Sequence, residues 1–465
     1  MAVEASPGEV LSAFVERMRA EGLPDVAIQT FEHYYGQLRQ GQTGLIPESA
    51  LQPIETLPDA EAFPARLAEA GRAALSQTVI LQLNGGLGTS MGLDKAKSLL
   101  IVKDGLSFLD IIALQALHGN VPLVLMNSFS TRKDTLSTLQ RYPGLWNNIP
   151  LDFVQHRFPK ISQAGLSPAT WPANKDLEWY PPGHGDIYPA LLTSGILDTL
   201  LEAGYRYAFV SNADNLGAVI EPAILGYLVE NHLPFMMEAA DRTVADCKGG
   251  HVGRLLNGQL ILRESTQCPA EEMADFQDIE HHKYFNTNNL WLDLTALKDR
   301  LEARGHILGL PMIVNRKTVD PRDGASTPVY QLETAMGSAI EVFPGARSIR
   351  VPRSRFAPVK TTDDLLAVRS DAYVLTDEYR VAPNPARKLG QLAVSLDPRY
   401  YRLIDWMEQR FPYGPPHLLE CERLSVKGDI CFGRDVVLKG AVELVNDTGR
   451  QLRIEDGALI EGSKG

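Results

Sequence analysis

The chain has 465 residues, 44% hydrophobic and 22% charged, with a formal net charge of −12. That size and apolar share supply a large core and two or three domains, and they exclude a disordered polypeptide. The negative balance argues against a broad nucleic-acid or anionic-membrane surface, although a few aimed lysines and main-chain N–H groups suffice to bind a phosphate locally. No apolar run is long enough for a transmembrane helix. The start, MAVEASPGEVLSAFVERMRAEG, carries Glu4 and Glu9 before a short apolar patch, which is wrong for a signal peptide. Cys247, Cys268, Cys421 and Cys431 form no C-x-x-C pair and read as thiols of a reducing, cytoplasmic compartment.

Residues 1–75 read as helical, with Val10, Leu11, Phe14 and Met18, then Phe31, Tyr34, Tyr35 and Leu38, at helical spacing. The linker GLIPESALQPIETLPD leads into an Ala-rich helix at about 60–75. From Val79 the apolar runs VILQL, KSLLIV, VPLVLM, LDFVQ, YAFVS and PFMMEAA alternate with helical stretches after Ser107, at about 186–203 and near 222–232. This predicts an α/β domain over 76–380 with a mainly parallel sheet. Asn257-Gly258, inside VGRLLNGQLILRES, predicts one antiparallel hairpin inserted there. Residues 381–465 are a linker followed, from about Leu424, by short β-rich runs punctuated by glycine. They fit either coils of a left-handed parallel β-helix or an ordinary small sheet.

The stretch VILQLNGGLGTSMGLDKAKSLLIV places a glycine cluster after a strand, where main-chain N–H groups can approach phosphate oxygens. A dinucleotide fingerprint fails: Gly86 and Gly88 are followed by Met91 where the third glycine belongs. A P-loop also fails, because Gly92 precedes Leu93 and Lys97-Ser98 has no glycine before it. What remains is L-N-G-G-L-G-T with a lysine, Lys97, further on.

That loop and the segments VPLVLMNSF, WYPPGHGDIY, FVSNADNLGA, FNTNNLW and PRSRFAPVKTTDDLL occur in this order. Together they resemble the eukaryotic-type UTP–glucose-1-phosphate uridylyltransferases along nearly the whole chain. The resemblance implies a nucleotide-diphospho-sugar transferase fold, GT-A or Rossmann-like, with a mixed sheet, N-terminal helices and a C-terminal left-handed β-helix-like domain. It implies formation of UDP-glucose and pyrophosphate from UTP and glucose 1-phosphate, with Mg²⁺ as cofactor. An anionic sugar phosphate attacking a triphosphate needs no general base; the chemistry needs positioning and charge neutralisation.

By resemblance, Leu83, Asn84, Gly85, Gly86, Gly88 and Thr89 hold the UTP phosphates together with Lys97, and Lys360 is the principal catalytic lysine, with Thr361 or Thr362 capping the helix after it. Asp214 is assigned to Mg²⁺. Gln155 reads uracil, against which Gly183 packs. His184, Asn212, Gly250, Glu264 and Asn288, with Gly85 and Gly86, face the sugar phosphate. Glu264 alternatively has a surface role, and Asn286 and Asn289 are turn residues. Arg353 and Arg355 either assist catalysis or hold their loop by salt bridges. Lys95 and Lys103 read as surface charges. Relatives often carry proline before the loop lysine; here it is Ala96, which bears on loop stiffness. The rival readings are a broader UDP-sugar or N-acetylhexosamine pyrophosphorylase, an NAD-dependent oxidoreductase, and a scaffold built on the tail. The resemblance also implies that the tail could support a homo-oligomer.

Overall fold

The computed structural model describes residues 7–462, so Glu4 and the last three residues lie outside the described chain. A ten-stranded mixed sheet carries the site. Its strands in chain order are β1 (Leu51–Pro53), β2 (Thr78–Asn84), β3 (Leu123–Asn127), β4 (Asp152–Val154), β5 (Tyr207–Asn212), β6 (Phe235–Asp241), β7 (His251–Leu255), β8 (Leu260–Arg263), β9 (Tyr284–Asp293) and β10 (Arg347–Arg350). The spatial order is β1-β7-β9-β5-β2-β3-β4, with β8 on β7, β6 on β9 and β10 on β6.

Strands β5, β2, β3 and β4 are mutually parallel, as the alternation of apolar runs and helices requires. Val79, Leu81, Val124 and Val210 are buried, the composition of strands covered on both faces. The sheet is more mixed than the sequence suggests. Strand β9 runs antiparallel to β5, β6 and β7, so antiparallel pairing extends well beyond the Asn257-Gly258 hairpin. That hairpin forms between β7 and β8, with Gly258 at φ +90°.

Two other segments depart from the pattern. KSLLIV is not one strand: Lys97–Leu99 is a 3₁₀ turn and only Ile101–Lys103 is extended. The Lys97 N–H is committed to the Gly86 carbonyl at 3.1 Å, which folds this segment back on the glycine loop. The helix expected at 186–203 is split into Ile187–Thr193 and Ile196–Glu202 by Gly195 at φ +75°.

The helices Pro7–Ala20 and Asp25–Arg39 bring Phe14, Phe31 and Tyr35 against Phe158 and Tyr180, away from the sheet core. Helix Ala65–Ala74 crosses helix Pro222–Glu230 closely: a Cβ on Gly71 would strike the Pro222 carbonyl, and one on Gly226 the Leu67 carbonyl.

Beyond residue 392 the pairing is all parallel. Strands Ala393–Leu396, Cys421–Lys427, Val437–Val445 and Leu459–Glu461 lie side by side, and Ile430–Phe432 pairs with Leu452–Ile454. Leu424, Val426, Ile430, Leu438 and Val442 are buried between these layers. The same apolar core includes Met91, Leu100, Val359 and Leu365, so it runs under the glycine loop and the helix Thr362–Arg369.

Candidate active site

The site lies at the carboxyl ends of β2, β3, β4 and β5, where an open α/β sheet exposes its loops to ligand. Leu83 at the end of β2 is aligned with Asn212 at the end of β5. Its side chain belongs to the core, and its carbonyl accepts from the Ala213 N–H at 3.1 Å. The Asn84 amide turns beneath the loop, donating to Asn127 Oδ1 at 2.7 Å and Thr135 Oγ1 at 2.9 Å. Asn84 therefore fixes the loop from below, and what it can offer a ligand is main chain.

The loop glycines have different reasons for being glycine. A Cβ on Gly85 would press on the Gln155 amide at 2.9 Å, which puts the expected base-reading side chain against the loop. A Cβ on Gly88 would strike Leu93. Gly86 is exposed, with nothing within 4 Å of that position, so its lack of a side chain leaves room for something outside the protein. Thr89 opens the 3₁₀ turn Thr89–Met91 and is exposed. Ala96 sits at φ −53°, within reach of a proline, so the turn keeps that shape without the ring.

Lys97 Nζ meets Asp214 Oδ2 at 2.6 Å, both partly exposed. The Val359 N–H donates to the Asp214 carbonyl at 3.1 Å, and Asn215 bridges to Pro358, so the segment leading to Lys360 is sewn to the same turn. Lys360 is exposed and lies over the Phe356 ring at 5.6 Å. The helix after it starts at Thr362, with Thr361 as cap in a reciprocal box with Asp364.

The opposite wall is less exposed. The Gly250 carbonyl accepts from the Asn286 N–H at 2.9 Å, and a Cβ on Gly250 would collide with the Glu264 carboxylate. Burial pushes the Glu264 carboxyl up, while the nearby Lys360 charge pulls it down. Glu264 thus faces the cleft's lysine, which is not the setting of a surface glutamate. In β9, Thr287, Asn288 and Asn289 stand opposite Glu238 alone, a bulge with Asn288 at φ +60°. Asn286 donates to Asn288 Oδ1 at 2.8 Å and accepts from its N–H at 2.9 Å, which holds the strained residue in place.

His184 is half-buried and accepts at Nδ1 from the Met336 N–H at 2.9 Å. That bond places the ring proton on Nε2, and burial pushes the imidazole down to about 4, so the ring is a neutral donor at pH 7. Gly183, at φ +83°, abuts Thr334, where a Cβ would stand 2.5 Å from the carbonyl. His156, next to Gln155, anchors this turn: its Nδ1 meets Asp186 at 2.8 Å and its N–H donates to the same carboxylate at 2.6 Å.

The alternatives for the arginines resolve in favour of structure. Arg353 pairs with Asp246 at 2.7 Å. Arg355 donates from Nε and Nη2 to the two oxygens of Glu238, at 2.7 and 2.6 Å. Glu238 is fully buried and also accepts from Trp291 Nε1 and Asn289 Nδ2. The Arg355 carbonyl accepts from Asn215 and Asn289, so this network clamps the Lys360 segment onto the sheet. Asn286 and Asn289 lie in strand β9 and not in a turn, although Asn289 is structural through its bonds to Glu238 and the Arg355 carbonyl; Glu238 was missed, although a glutamate inside the apolar run PFMMEAA was a signal for a buried ion pair. Lys103 is a correction. It is 7% exposed and donates to the Ser370 carbonyl at 2.6 Å, closing the end of helix Thr362–Arg369 instead of lying on the surface.

The chain is similar to known proteins along most of its length. The family model described as UTP–glucose-1-phosphate uridylyltransferase matches residues 28–439. The UTP–glucose-1-phosphate uridylyltransferase of Hordeum vulgare is 42% identical over 89% of this chain and 86% of its own length. That of Saccharomyces cerevisiae is 41% identical over 83% of this chain and 77% of its own. A crystal structure of a point mutant of UDP-glucose pyrophosphorylase from Leishmania major superposes with a TM-score of 0.92 at 43% identity, covering 100% of both chains. A different point mutant from that organism, in complex with UDP-glucose, gives 0.91 at 43% identity over 98% of this chain and 99% of its own. The chain belongs to the UTP–glucose-1-phosphate uridylyltransferase family.

Proposed function

We propose that the protein makes UDP-glucose and pyrophosphate from UTP and glucose 1-phosphate, reversibly. The observation that carries this reading is the pairing of Lys97 with Asp214 beneath the glycine loop, with the Lys360 segment bonded to the same turn. One oxygen of the sugar phosphate attacks the α-phosphorus of UTP in line, and pyrophosphate leaves. The attacking oxygen is already anionic, so no side chain has to remove a proton. The task is to bring two polyanions together, which the loop N–H groups, Lys97 and Lys360 serve by charge and position. Gln155 and Gly183 take the uracil. His184, Asn288, Gly250 and Glu264 take the glucosyl phosphate, where the neutral imidazole and amides supply donors and acceptors for hydroxyls.

The Asp214 carboxylate suits Mg²⁺, which takes one or two protein oxygens and completes its shell with phosphates and water. When bound, the ion would offset phosphate charge at the reacting centre. The finer fold assignment belongs to the same reading: a GT-A-like transferase domain followed by a left-handed β-helix, supported by the all-parallel C-terminal pairing. A cytoplasmic location and self-association through that tail are part of the proposal.

The deciding experiment follows pyrophosphate release from UTP with a panel of sugar 1-phosphates and with Mg²⁺ present or chelated. Release with glucose 1-phosphate, abolished by chelator, is expected. No release with that pair defeats the reading, and equal rates across the panel favour a broader UDP-sugar enzyme.

A further inference from the structure

A cluster of ligand-type side chains, none of them among the residues assigned to the substrate site, joins Glu48 to the turn before β9. Glu48 Oε1 accepts from His282 Nε2 at 2.9 Å and stands 3.5 Å from His281 Nε2. The three donor atoms all lie within 4.8 Å of one another, the one group of three among the described residues that could hold a metal ion. We infer that Glu48, His281 and His282 form a site for a borderline divalent cation such as Zn²⁺ or Co²⁺, separate from the catalytic Mg²⁺ site.

The spacing supports this. Donors about 2.0–2.1 Å from a tetrahedral ion stand about 3.3–3.4 Å apart, and the two measured legs bracket that value. Two imidazoles and a carboxylate are a donor set for zinc, whereas Mg²⁺ demands oxygen ligands.

Each ligand is also held independently of an ion. The turn carrying both histidines is fixed by Asp278, whose side chain accepts from the N–H groups of Glu280 and His281 and whose carbonyl accepts from His282. The His282 ring is stacked on His251, with centroids 3.7 Å apart. The Glu48 N–H donates to Glu272 at 2.7 Å, and its second oxygen is held by Arg263. Arg263 is in turn paired with Glu272, which offsets its charge toward an incoming cation. His281 is 47% exposed, so the cluster opens to solvent and leaves a fourth position for water.

The site joins three segments. Glu48 belongs to the N-terminal linker, the histidines lead into β9 with Asn286 and Asn288, and Arg263 immediately precedes Glu264. An ion there would fasten the linker to the sugar wall without touching substrate.

The test titrates the full-length protein with Co²⁺ and Zn²⁺ in the presence of Mg²⁺, reading tetrahedral Co²⁺ absorption and melting temperature, for wild type, His281→Ala and His281→Asn. One equivalent bound by wild type, a raised melting temperature, and at least about tenfold weaker binding in both variants are expected. The exposed His281 lets the metal-free variants melt as wild type does, which separates loss of a ligand from loss of fold. Absence of Co²⁺ binding, or binding of equal strength in the variants, overturns the site.

Discussion

On the wall proposed to take the phosphates Gly86 has open space where a side chain would go, Lys360 is exposed, and Lys97 is partly exposed beside a carboxylate. On the opposite wall, to which the proposal gives the uracil and the sugar, Gly183 is pressed against Thr334, His184 is neutral, and Glu264 is partly desolvated. In the proposed reading one wall offers charge and vacant main chain to a polyanion. The other offers neutral donors whose positions are set by packing. A substitution on the first wall should therefore damage turnover and spare the fold, whereas one on the second should damage both.

The largest expected effect is at Lys360. Lys360→Ala should lower kcat by about a thousandfold with an unchanged melting temperature if, as proposed, its charge acts on the reacting phosphates. Near-normal turnover would break the assignment. Arg355→Met, which strands the buried Glu238, should cost about 3–5 kcal/mol of stability in a urea titration. The double variant Arg355→Met, Glu238→Gln should recover part of that loss, because no unpaired charge remains.

The glycines give the sharpest contrast. Gly183→Ala should destabilise by about 2 kcal/mol, since both its positive φ and the Thr334 carbonyl oppose a Cβ. Gly86→Ala should leave stability within about 0.5 kcal/mol and raise KM for UTP; an unaltered KM would show that the open space serves nothing.

Acid reads the sugar wall separately. The His184 ring takes up its proton at about 4 in the fold, against 6.5 ordinarily, so its contribution is complete above 6.5 and is lost as pH falls toward 4. Wild type should lose about 1–2 kcal/mol more than His184→Gln between pH 7.5 and pH 5. The smallest effect is expected at Ala96. Its φ suits proline, and Ala96→Pro should stabilise by about 0.4–1 kcal/mol, measured by thermal unfolding.

What was legible in the sequence was local. The glycine loop, the two lysines and the strand-end Asp214 sit in short motifs whose chemistry is carried by neighbours in the chain, and the Asn257-Gly258 turn needs only its own two residues. What was not legible depends on distant partners. Lys103 looks like any surface lysine until the end of helix Thr362–Arg369 is brought over it. The role of Arg355 depends on Glu238, far away in sequence. The bulge at Asn288 arises from a mismatch between β6 and β9, which neither strand shows alone.

The shared core beneath the glycine loop has a consequence for how the protein is made. Met91 and Val359 share a core with Tyr401, Leu424 and Leu438, whereas the cores of the main sheet are complete by Val351. During synthesis domains close as their residues emerge. A nascent chain can therefore settle its sugar wall while its phosphate wall still waits for the last strands. The packing under the loop and under the Lys360 segment is thus finished only once the last strands have emerged.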